Sequence, residues 1–105
     1  MPYIITRCWY PPRKVDEVVK KYLEVLEKYP PDETLGKQIV PVATTTSNCG
    51  YETMSVTEVE REKVGDALER QKTAFIEFRK IEGFNYEIKT WTTAEEGFAR
   101  MGLGG

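Results

Sequence analysis

No histidine occurs among the 105 residues of this chain. That absence excludes Ser-His and Cys-His nucleophile pairs, the imidazole general base and histidine-ligated haem. Cysteine is scarce, with only Cys8 and Cys49. Two cysteines without histidine cannot complete a four-ligand Cys/His zinc site. In a reducing compartment they read as free thiols rather than as a bridge. A basic excess is also missing. Fifteen Lys and Arg against 17 Asp and Glu leave a net charge of −2, which cannot neutralise phosphates, so no nucleic-acid partner is expected. No apolar run approaches the ~20 residues of a membrane span. The opening "MPYIITRCWYPP" has neither a basic leader nor a small-residue cleavage site. The expectation is a cytoplasmic protein with no metal, no cofactor and no membrane contact. Any chemistry would run on carboxylates, Lys, Arg, Tyr or Cys, or on a borrowed cofactor.

Glutamine and asparagine occur twice each beside abundant Glu and Lys, a bias that matches thermophile proteins. Forty per cent hydrophobic and 30% charged residues is the balance of a globular chain, and the length fits a single domain over 1–105.

Residues 3–10, "YIITRCWY", are β-branched and aromatic and stop at Pro11-Pro12, which reads as a strand. Pro12 suits the first turn of a helix. Val15, Val18, Val19, Tyr22, Leu23, Leu26 and Tyr29 then recur at helical spacing, and Pro30-Pro31 closes the helix. "KQIVPVATTT" reads as a second strand, with Pro41 arguing for an edge position. "YETMSVTEV" reads as a third. The "SNCG" between them is dense in turn formers, so the two strands form a hairpin. Thr57 and Glu60 match a capping box before a second helix, whose inner face carries Val64, Ala67, Leu68, Gln71, Ala74, Phe75 and Phe78. That helix is expected to stop near Gly83. Residues 84–91, "FNYEIKTW", form a fourth strand. Residues 92–105 hold a second capping pattern at Thr93–Glu96, a short helix and a frayed "GLGG" end.

Strand-helix-strand occurs twice, which is the βαββαβ order of a ferredoxin-like α+β fold. Right-handed crossovers put both helices on one face of an antiparallel sheet in order 4-1-3-2, with the second strand at an edge. Alternation assigns Tyr3, Ile5, Arg7 and Trp9 of the first strand, with Glu87, Lys89 and Trp91 of the fourth, to the uncovered face. Two tryptophans and Ile5 are too apolar to leave in water, so a second copy is expected to cover that face about a two-fold axis.

With that order and that outer face, the chain resembles the dimeric α+β barrel group of ferredoxin-like proteins over most of residues 3–91. The group includes small monooxygenases, muconolactone-isomerase-like and haem-degrading enzymes, and many proteins of unknown role. No catalytic motif of the group is matched, and the histidines several of its families use are missing. The resemblance implies a homodimer and a pocket between sheet and helices.

Tyr22, Glu52, Gln71 and Tyr86 are the candidate pocket residues, because Gln71 interrupts an apolar helix face. A glutamine hydrogen-bonded at the margin of its stripe is the plainer reading of that position. Arg7 with Glu87 or Lys89 could hold an anionic ligand, but an ion pair fixing the interface register is favoured. Cys49 has no nearby cation or helix N-terminus to activate it, so it reads as a turn residue. Cys8 reads as a small buried hydrophobe. Gly104-Gly105 reads as a flexible tail, because a ubiquitin-like modifier would begin with a hairpin. Two functions follow: a homo-oligomer binding a small organic molecule between sheet and helices, or an interaction module docking another protein on its open sheet face.

Overall fold

The computed structural model describes residues 1–48 and 50–102. Cys49 and the 103–105 part of the expected tail lie outside the described residues.

β1 (Tyr3–Tyr10) runs through the middle of the sheet. Burial alternates along it without a break. Ile4, Thr6, Cys8 and Tyr10 are buried, and Tyr3, Ile5, Arg7 and Trp9 are half-buried. The chain then turns through a 3-10 segment at Pro12–Lys14, where proline fixes the first φ and lacks only an N–H that a helix start cannot use. α1 (Val15–Lys28) continues from it and ends just before the two prolines.

β2 (Lys37–Ser47) and β3 (Gly50–Glu58) form the antiparallel hairpin, with Ser47 opposite Gly50. Gly50 has a positive φ, and a Cβ there would collide with the Tyr10 carbonyl, so only glycine fits. α2 (Val64–Ile76), β4 (Asn85–Trp91) and α3 (Ala94–Arg100) complete the chain. The result is a mixed α+β fold with one four-stranded antiparallel sheet and three α-helices among the described residues. The sheet order is β2-β3-β1-β4, which from its other edge is β4-β1-β3-β2. Among the described residues, no helix is long and apolar enough to cross a membrane.

β2 is an edge strand. Its pairing shifts register between Gln38 and Val40 and again between Val40 and Ala43, the second interval containing Pro41. A proline has no N–H for the ladder, so the irregularity falls where the donor is missing.

Two apolar clusters hold the helices to one face. Tyr10 of β1 packs with Val18 of α1 and with Phe78 and Ile81. Ile4 of β1 packs with Val59 and with Ala67 of α2. Ile4 and Val59 are fully buried.

Three local expectations need correction. Thr57 is not a helix cap. It is a buried residue of β3, and the following helical turn starts at Arg61 without a side-chain cap. The helix-facing side of β3 continues through Thr57, so sheet pairing overrides the local capping pattern. α2 also ends at Ile76, well short of Gly83. Beyond it the amides of Glu77, Phe78, Arg79, Ile81 and Phe84 each bond three residues back. A three-residue repeat aligns Phe75, Phe78, Ile81 and Phe84 on one side, and their burial favours the tighter winding. Finally, the α1 stripe is only partly packed. Val18 is buried and Val25, outside the expected stripe, joins the core, whereas Val19, Tyr22 and Leu23 are exposed.

At α3 the capping box is present. The Thr93 hydroxyl accepts from the Glu96 amide at 3.1 Å, and the Glu96 side chain reaches back to the Thr93 amide at 3.4 Å. Arg61 bonds the same carboxylate at 2.9 Å, tying α3 to the start of the second helical segment. Arg61 first, then Thr93, holds the Glu96 carboxyl down at about 2. A carboxyl whose pKa is depressed in the folded state stabilises above its unfolded pKa, and that stability is lost as pH falls toward the folded value. Glu96→Gln is therefore expected to be less stable than the parent at neutral pH. The gap should narrow as pH falls from about 5 to about 2. Urea midpoints of both proteins across that range check this, and a pH-independent gap would exclude the ion pair as the cause.

Candidate functional site

A cavity of about 830 Å³ lies between the helix-facing side of the sheet and the two long helices. It falls within the range of small-molecule pockets, roughly 300–1,000 Å³.

Its floor is unusually polar. Alternation points Thr53, Ser55 and Thr57 of β3 the same way as Cys8, Thr6 and Ile4, their register partners on β1. Thr44 of β2, opposite Thr53, extends the row. Threonine keeps the β-branching a strand favours while placing a hydroxyl where a core-facing strand normally carries methyl groups. Two of these hydroxyls find partners inside the protein. The Thr6 hydroxyl donates to the Gln71 side-chain oxygen at 2.5 Å. The Cys8 thiol is hydrogen-bonded to the Thr53 hydroxyl. Burial pushes the Cys8 thiol above its ordinary pKa, so it stands there as a neutral group rather than as a thiolate. Among the described residues, no buried side-chain nitrogen or oxygen is left without a partner.

One end of the cavity is aromatic. Tyr10, Phe75, Phe78 and Phe84 all reach it. Phe78 stacks on Phe84 with centroids 4.8 Å apart, and Phe84 stacks on Tyr10 at 6.1 Å. The other end is bounded by the loop after α1. Arg70 donates to the Pro30 carbonyl at 2.7 Å, and Asp32 accepts from the Thr34 amide and hydroxyl, which holds its carboxyl below the usual range. Val19 and Tyr22 of α1 and Val42 of β2 line the cavity yet remain exposed, so its mouth opens between α1 and the edge strand.

Of the expected pocket residues, Tyr22 and Gln71 line the cavity. Glu52 does not. It sits between Tyr51 and Thr53 on β3 and so points to the opposite face, where Arg7 donates to it at 2.6 Å. That bond holds the Glu52 carboxyl below its ordinary pKa. Tyr86 shares the helix-facing side, but it packs against Phe75 at 5.2 Å instead of reaching the cavity wall. The Arg7 partner is likewise corrected: it is Glu52 on β3, while Glu87 pairs with Lys89 at 3.5 Å along its own strand. Arg7 also lies over the Trp9 ring at 5.0 Å. Tyr3, Ile5, Arg7, Trp9, Glu87, Lys89 and Trp91 all fall on the uncovered face, as the register requires. Among the described residues no group of three or more Cys, Asp or Glu is placed to hold a metal ion.

The floor hydroxyls are the site residues that the sequence reading missed. The signal was available: Thr53, Ser55 and Thr57 recur at period two on the side of β3 that faces the helices.

No protein-family model matches the chain, and no curated protein matches it. Among solved structures it is similar to a de novo designed protein, Foldit4, with a TM-score of 0.51 and 16% identity over 88% of this chain and 96% of that one. This likeness shows the fold alone. Aminopeptidase PepT from Bacillus cereus is similar at a TM-score of 0.47 and 9% identity, over 97% of this chain and 36% of that one.

The Thr6–Gln71 bond links β1 to α2 across the cavity, which makes its contribution measurable. A double-mutant cycle of Thr6→Val and Gln71→Met should return a coupling of about 1 kcal/mol in chemical denaturation. Additive effects would mean that the bond does not hold helix and sheet together.

Proposed function

We propose that this protein binds a small organic molecule in the cavity between helices and sheet. We further propose that it works as a homodimer of the dimeric α+β barrel kind, ferredoxin-like in each subunit, in a reducing cytoplasm. The observation that carries the ligand reading is the cavity itself, about 830 Å³ with a hydrogen-bonding floor and an aromatic end. Such a combination orients a ligand by a few polar contacts while apolar walls supply affinity. A merely structural space of this size would forfeit packing contacts without return.

The homodimer reading rests on the opposite face. Trp91 is 51% exposed there, at the end of β4, and Met54 is exposed on β3. The charges on that face balance, with Arg7, Lys37 and Lys89 against Glu52, Glu58 and Glu87. A strongly acidic or basic partner would find no complementary field, whereas a second copy meets matching charges about a two-fold axis. The same exposed Trp91 supports the second reading, an interaction module that docks a different protein.

A thermal-shift screen of small uncharged and charged aromatics tests the ligand reading, because a compound that binds the folded state raises the melting temperature. A bulky Val42→Trp at the mouth should abolish the shift. No response to any compound would leave the interaction module as the better account. The dimer is tested by Trp9→Ala. Large aromatics at interface centres cost about 2 kcal/mol or more when truncated, so dimer affinity should fall about thirtyfold or more. Sedimentation beside circular dichroism should show a folded monomer. An unchanged dimer, or an unfolded chain, would refute the assignment.

A further inference from the structure

The polar groups of the cavity floor are neutral: Thr6, Thr53, Ser55 and Gln71, with the Cys8 thiol. Of the charged groups at its wall, Glu33 and Lys37 are exposed to solvent, and Arg70 and Asp32 have partners. Arg70 holds the Pro30 carbonyl, and Asp32 holds Thr34. An ion carried to the floor would lose its hydration and meet no opposite charge, which is costly.

Gln71 sets the polarity of the contact. Its side-chain oxygen accepts from Thr6, and its amide nitrogen, with two donor hydrogens, makes no hydrogen bond among the described residues. The group this nitrogen meets must therefore be an acceptor. Phe75 follows Gln71 by one helical turn on the same side of α2, about 6 Å along the axis. The acceptor must then sit within about a ring's width of an apolar body. Resting on the ligand-binding reading above, we infer that the ligand is an uncharged molecule presenting a carbonyl-type oxygen to the Gln71 amide, with a flat apolar body against the Phe75–Phe78–Phe84 wall.

Four isosteric probes test this. 2-Acetylnaphthalene carries the carbonyl, 2-ethylnaphthalene lacks it, 2-naphthoate is the anion, and 2-naphthylmethylamine is the cation. Affinities are read by calorimetric titration of the full chain. The ketone is expected to bind about tenfold more tightly than each of the other three, the gain that one well-placed hydrogen bond gives. Gln71→Met keeps the side-chain length and removes the donor. It should bring the ketone down to the affinity that 2-ethylnaphthalene has for the same variant, with circular dichroism reporting an intact fold. Gln71→Glu keeps an acceptor for the Thr6 hydroxyl and should lose the ketone preference too, which covers the case in which the Met variant fails to fold. Equal binding of ketone and hydrocarbon, tighter binding of either ion, or a ketone affinity indifferent to both variants would overturn the inference and leave the cavity as a binding site. Failure of all four probes to bind would overturn the cavity reading itself.

Discussion

Everything in this fold hangs on the antiparallel pairing of β1 with β3 on one side and β4 on the other. Because side chains alternate about a paired strand, that one strand assigns every neighbour to a face. It directs Ile4 and Tyr10 into the two apolar clusters and Thr6 and Cys8 to the cavity floor between them. It also directs Arg7 and Trp9 to the other side. A slip of one residue would exchange the two sets, putting a guanidinium under the helices and Ile4 in water. The fully buried Ile4 opposes such a slip at one end of the strand and the close approach of Gly50 to Tyr10 at the other.

Between these anchors the helix-facing side of the sheet is polar, and the helices are held away from it instead of packed onto it. α1 illustrates the consequence. Its Val18 is clamped against Tyr10, Phe78 and Ile81, while the neighbouring Val19 and Tyr22 overhang open space. A core built wholly of methyl groups would have drawn the helix down, since close packing gains dispersion energy with every contact. Hydroxyls paired with Gln71 and with the Cys8 thiol can tolerate a polar cavity above them. The polarity of a few strand residues thus decides whether there is a cavity at all.

Much of this was legible in the sequence, wherever one short-range pattern dominated. The alternation of "YIITRCWY", the stripe of α1 and the prolines that end it translate directly into elements. So does the capping box at Thr93. What escaped was decided by tertiary competition. Thr57 looks like a cap and is a strand residue, because pairing with β1 outweighs a single cap. The residues beyond Ile76 look like helix and wind more tightly, because that places Phe78 and Ile81 in the core. For the site, Gln71 was legible as a polar break in an apolar stripe, and Tyr22 as a member of the α1 stripe facing it. Glu52 was misplaced because period two had not been applied to β3. Applied there, it puts Glu52 beside Arg7 and reveals Thr53, Ser55 and Thr57 together.

The edge strand β2 has eleven residues, nearly all exposed, and includes three consecutive threonines. Such a strand is a ready template for pairing with a foreign chain, and long uninterrupted edges seed aggregation. Here the ladder shifts once before Pro41 and once across it, so β2 does not present a regular row of donors and acceptors along its whole length. An irregularity that costs some pairing energy within the molecule thereby protects it from its own copies at the wrong edge. It leaves the uncovered sheet face, and not the edge, as the surface on which the proposed pairing of copies rests.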